Sequence, residues 1–105
     1  MSNPFDPSAL GGMMSGFQQQ MKRLQDEAEA TQVEGQAAKG LVKVVVTGGQ
    51  QLVSVRIDPS VMDDREMLED LIVAATNDAL RRSKEVVSQK LGALAGALGL
   101  PPGLL

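Results

Sequence analysis

The chain has no cysteine, histidine, tryptophan or tyrosine, and its only aromatic side chains are Phe5 and Phe17. Without cysteine there are neither disulfides nor thiolate metal sites. Without histidine the usual general base near neutral pH and the usual transition-metal ligand are missing as well. The remaining serines, threonines, lysines and carboxylates show no nucleophile elbow, phosphate loop or paired-carboxylate spacing. No catalytic activity, cofactor, metal or small-molecule substrate is expected. Two aromatics are too few for a base-stacking platform, which disfavours single-strand recognition. No apolar run approaches the roughly 18 residues that cross a bilayer. No charged start followed by an apolar stretch resembles a signal peptide, so a soluble, cytoplasmic protein without membrane contact is expected.

What is present fits one small domain, residues 1–105, with mobile ends at about 1–12 and 92–105. A domain of this size is marginal without staples, and none exist here, so oligomerisation is the expected support. The formal charge of −3 and the pI near 4.8 count against nucleic-acid binding, which usually leaves a basic composition. The charge is uneven, however. Residues 63–70 hold five acids and Arg65, net −4, whereas residues 81–90 hold Arg81, Arg82, Lys84 and Lys90 against Glu85, net +3. Such polarity suits a helix dipole, acid first and base last, and it also places a basic patch on an acidic protein.

The stretch from 63 to 91 reads as one long helix, with Asp63 as its cap, Glu66 in capping-box spacing, and no Gly or Pro before Gly92. At about 100° per residue, Leu68, Leu71, Ile72, Ala75, Ala79 and Val86 form one apolar stripe. Val73, Leu80 and Val87 form a second. One small sheet needs a single stripe, so the second predicts another helix or a second copy of the chain.

Upstream, Asp6-Pro7 marks a helix start, and Leu10, Met14, Phe17, Met21, Leu24 and Ala28 follow heptad spacing. Gly11, Gly12 and Gly16 weaken the first turns, so firm helix is expected from about 17 to 30, continuous with a weaker start. Lys22 and Arg23, among Gln18, Gln19, Gln20 and Gln25, offer donors to phosphates or simply form a solvated outer face. From 31 to 58 the period changes to two. A short strand over 31–37 contains Gly35, a sign of a bulge or a close backbone approach. Val42, Val44 and Val46 mark a second strand, apolar on both faces and therefore expected to be covered on both. Residues 52–57 form a third strand, and turn glycines between them give an antiparallel meander. Asp58-Pro59-Ser60 stops the sheet. After Leu91, glycines at 92, 96 and 99 and Pro101-Pro102 predict loss of regular helix, and the leucines there predict docking on a neighbour.

The motifs Val33-Glu34-Gly35, Gly40-Leu41-Val42-Lys43-Val44, Ile57-Asp58-Pro59-Ser60, Met67-Leu68-Glu69-Asp70-Leu71, Asn77-Asp78-Ala79 and Leu100-Pro101-Pro102-Gly103 occur in that order. From about Met13 to Gly103 the chain closely resembles the YbaB/EbfC family of bacterial nucleoid-associated proteins. The resemblance implies an α+β fold: a helix, a three-stranded antiparallel sheet and a long helix, paired into an intertwined, tweezer-like homodimer. It also implies double-stranded DNA binding with little sequence preference, in the nucleoid.

The expected phosphate contacts are Lys22, Arg23, Arg81, Arg82 and Lys84, doubled by symmetry, and the expected pairing residues are Val44, Leu68, Ile72, Ala75 and Leu80. The role would be nucleoid organisation or modulation of gene expression. The alternative is a dimeric protein-interaction scaffold, favoured by the net acidity, with weak or incidental DNA binding.

Overall fold

The structure is a computed structural model that describes residues 7–97 and Gly99, with side chains from Gly11 onward. Helix α1 (Pro7–Ala30) is followed by strands β1 (Gln32–Ala37), β2 (Val42–Thr47) and β3 (Leu52–Ile57), a single 3-10 turn (Pro59–Val61) and helix α2 (Arg65–Ala97). The α+β, helix–meander–helix order expected from the sequence is the order observed. The strands form one antiparallel sheet in the order β1-β2-β3, with Val44 opposite both Gly35 and Val55.

Alternation along β2 builds the core. Val42, Val44 and Val46 point to one face and are fully buried against Ala75 and Ala79 of α2, with Val33, Ala37, Leu68, Leu71, Ile72 and Leu80 packed around them. Helix α2 lies over β1 and β2 rather than β3. Its approach to β1 is close enough to demand glycine: a Cβ on Gly35 would sit 2.7 Å from the Ala75 carbonyl oxygen and 2.5 Å from the Ala79 Cα. Gly35 therefore marks a close backbone approach. The register shift lies elsewhere, at Val45/Val46 opposite β3, where Val46 pairs with Leu52 and Val53 is left over.

Gly48 serves the other junction. Its amide donates to the Thr31 carbonyl at 2.8 Å and the Gly49 amide donates to the Glu29 carbonyl at 2.9 Å, so the β2–β3 turn satisfies carbonyls at the end of α1. A side chain on Gly48 would collide with the Ala28 carbonyl. The left-handed residue of this turn is Gln50, at φ 66, not a glycine.

Two expectations need correction. The cap of α2 is Asp64, whose Oδ1 accepts from the Met67 amide at 3.1 Å, not Asp63; the 3-10 turn carries the chain one residue further, with Asp64 N–H bonded to the Val61 carbonyl. Helix α1 runs from Pro7 through its glycines, as a helix with a weaker start allows, whereas α2 continues past Gly92 to Ala97, where the sequence predicts loss of regular helix. Burial of Ala95 and the packing of Leu94 beside Leu24 offset the helix cost of Gly92 and Gly96. In the single chain the outer face of β2 is open, with Lys43 exposed there and Val45 half-buried.

The protomer is a rod, 77 × 22 × 15 Å, with a radius of gyration of 20.6 Å. A compact chain of this length has about 13 Å. The excess comes from α1, which leans on the end of α2 only through its last turns, leaving Met13, Met14 and Phe17 exposed.

Candidate nucleic-acid interface

The expected contact residues fall at three places. Arg81 and Arg82 stand together on α2, joined by a side chain not selected from the sequence. Asp78 accepts from Arg81 Nη2 at 2.7 Å and forms an ion pair with Arg82, whose Nε lies 3.1 Å from its Oδ2. The same carboxylate accepts from the Gln36 amide of β1 at 3.0 Å. Its side chain is 13% exposed, against 68% and 54% for the two arginines, so the anion lies inside and the guanidinium groups lie outside. The Gln36 amide, with help from Arg82 and Arg81 and against the desolvation of partial burial, holds the Asp78 carboxyl below the usual carboxylate range. Because β1 is an edge strand, this contact also closes an outward amide to any further strand.

Lys84 lies one turn on, beside a shallow groove lined by Gly48, Gln50, Val87, Ser88 and Leu91. Lys22 and Arg23 are exposed on α1, where Gln19, Asp26 and Glu27 share their groove. Those two cations sit near the last turns of α2 rather than near Arg81. Lys90, at the end of the basic run, is engaged: its Nζ donates to Thr31 Oγ1 at 2.7 Å, and that hydroxyl donates to the Glu27 carbonyl at 2.9 Å. It clamps α2 to the negative end of α1. Ser83, fully buried, fixes the same junction by donating to the Thr47 carbonyl and accepting from Gln50 Nε2, both at 2.8 Å.

Sheet register adds a feature hidden in the linear sequence. Lys43 and Arg56 face each other across β2 and β3, both exposed, with no ion pair to either among the described residues. Like charges directly opposed on a sheet are mildly destabilising. The Asp78 clamp had a sequence signal, an acid three and four residues before two arginines on a helix.

The expected pairing residues split. Val44 and Ala75 are enclosed in the protomer's own core, while Leu68, Ile72 and Leu80 pack on that core with part of their surface open. Open apolar surface is concentrated elsewhere, at Leu52, Val53, Val55, Met62, Met67 and Val73. Among the described residues no group of three potential metal ligands occurs, and no helix is long and apolar enough to cross a membrane.

Fold and site define a small α+β chain in which one helix lies on a meander and the other leans on the end of the first, with cations exposed on both. The sequence profile of the YbaB/EbfC DNA-binding family matches residues 4–98, and the chain belongs to that family. Among solved structures the chain is similar to the uncharacterized protein HP0035 of Helicobacter pylori. Identity is 28%, over 77% of this chain and 87% of that one, with a TM-score of 0.63.

Proposed function

We propose that this protein is a nucleoid-associated protein of the cytoplasm that binds double-stranded DNA as a homodimer, with little sequence preference, and thereby organises the nucleoid or modulates gene expression. Lys22, Arg23, Arg81, Arg82 and Lys84 touch phosphates, twice over by symmetry. The observation that carries the DNA contact, beside family membership, is that all five cations are exposed and that residues 81–90 are net +3 where residues 63–70 are net −4. Phosphate-directed contacts carry no base information, which accounts for the low sequence preference.

Pairing is supported by the unfinished face of the sheet. β3 shares the core side of the sheet through Val55 but has no helix over it, and Val55 is 38% and Val53 49% exposed. Asp78 occupies one amide of the β1 edge, and the apolar surface left open lies on the β3 side. A second copy covers this surface, with the open parts of Leu68, Ile72 and Leu80 at its margin, and the two α1 rods form the arms of the tweezer. Replacing Arg81, Arg82 and Lys84 with Ala leaves a folded dimer that binds unrelated duplexes more weakly, with a salt slope flattened by roughly 0.9 for each phosphate no longer neutralised. A folded triple variant with unchanged affinity and slope refutes this surface.

The scaffold alternative is favoured by one observation, the exposed acids Asp63, Asp64, Glu66, Glu69 and Asp70, of which Glu69 alone has an ion pair among the described residues, with Arg65 at 3.6 Å. It predicts no salt-sensitive retention on duplex DNA.

A further inference from the structure

We infer that Asp78 is an internal competitor for phosphate that sets the strength of the basic surface, a proposal resting on the DNA contact assigned above to Arg81 and Arg82. The geometry points to it because one carboxylate engages both guanidinium groups, through different oxygens, at 2.7 and 3.1 Å. Two independent helix-surface pairs would not need a common acid. Here the acid is the least mobile member, because the Gln36 amide of β1 holds its Oδ2 from the other side. The arginines are free to leave and the carboxylate is not.

A duplex phosphate arriving at Arg81 or Arg82 meets a group that already has an anion partner and stands beside a fixed negative charge. Each arginine keeps further N–H donors facing outward. Full engagement, bidentate and neutralising, requires the guanidinium to leave Asp78. The two arginines and Asp78 therefore present a net charge of +1 rather than +2. An acidic protein that touches DNA everywhere without reading it is kept exchangeable by this device. Tight and sequence-blind binding would otherwise immobilise it.

The variant Asp78→Asn tests this, because the Asn carbonyl oxygen still accepts from the Gln36 amide while the charge is gone. Asp70→Asn is the charge-matched control: Asp70 is exposed and eleven residues before Arg81, about 16 Å along the axis, beyond the screening length of about 10 Å at 0.1 M salt. Titration of a labelled duplex with the full chain is expected to show Asp78→Asn binding about fivefold tighter than Asp70→Asn, since exposed ion pairs are each worth a factor of roughly 1.5 to 5. Its salt slope should be steeper by about one unit. With Arg81 and Arg82 replaced by Ala, Asp78→Asn should give no gain over Asp70→Asn.

In the unmodified protein, the Arg82 Nε–H resonance should shift as duplex is added, which decides the matter even if Asp78→Asn does not fold. Equal binding by the two Asn variants, a gain that survives loss of both arginines, or an unmoved Arg82 resonance at saturating duplex overturns the inference while leaving DNA binding intact. If the unmodified protein shows no salt-sensitive binding, the DNA proposal falls. If Asp78→Asn then shows none either, the inference falls with it.

Discussion

Replacing Gly35 with Ala adds one methyl group where the helix leaves no room. The new carbon would lie 2.5 Å from the Ala79 Cα and 2.7 Å from the Ala75 carbonyl oxygen. Ordinary carbon contacts lie at about 3.5–4.0 Å. Both neighbours are helix backbone, so the clash cannot be relieved by a rotamer change; α2 must move off β1 by about 1 Å. That movement opens the layer in which Val44, directly opposite Gly35, meets Ala75 and Ala79. It also lengthens the Asp78 contact to the Gln36 amide. Overpacking of this kind costs about 1–3 kcal/mol.

For a domain near 100 residues each kcal/mol lowers Tm by roughly 4–8 °C, so Gly35→Ala should melt about 5–20 °C lower than the unmodified protein at equal concentration. Gly16→Ala is the matched control. Nothing lies within 4 Å of its added methyl group, and α1 should gain about 0.5–1 kcal/mol from the better helix former. Scanning calorimetry or circular dichroism on both variants reads the difference. If Gly35→Ala melts with the unmodified protein, α2 does not lie on β1 as described.

Acid should destabilise the fold through two carboxylates. The Gln36 amide chiefly depresses Asp78, and the Ser60 amide and hydroxyl depress Asp58, so both stay ionised in the folded chain at pH values where the unfolded chain takes up protons. Their contribution is complete above the ordinary aspartate value of about 4 and is lost as pH falls through that value and below. Melting curves between about pH 5 and 2 check this, and Asp78→Asn should show a shallower decline. In hydrogen exchange, amides from Gly11 to Gly16 should exchange fast, because α1 is exposed on all sides over residues 11–20. Val44, Val55 and Ile72 should exchange slowly. Equal protection of these amides contradicts a loosely held start of α1; most of the ends expected to be mobile, 1–6 and 100–105, lies outside the described residues.

The elements themselves were legible because each carries an unbroken period: heptad spacing along α1, alternation at Val42, Val44 and Val46, and helical stripes along α2. Gly35 reads from the sequence as either a bulge or a close approach, and only the position of α2 over β1 decides for the second. The end of α2 was not legible. Gly92 and Gly96 argue locally for a stop, and only the packing of Leu94 and Ala95 near α1 shows what holds those turns in the helix. Gly48 was attributed to turn conformation, whereas its amide and its lack of a side chain serve the end of α1, a junction between segments well separated along the chain.

Site residues were legible as charges but not as groups. Asp78 reads as one more helical acid until β1 is placed beside it. Lys43 and Arg56 become neighbours only when the register is known.

The central claim is that a protein of net charge −3 binds duplex DNA through a few local cations presented twice by a homodimer. The most direct measurement is the affinity of the unmodified full chain for two duplexes of equal length and unrelated sequence, across a salt series, with the mass of the complex read by light scattering. The account predicts nearly equal affinities, a common slope of several units in log affinity against log salt, and two chains per bound unit. Affinity that is independent of salt, or a folded monomer as the binding species, contradicts it.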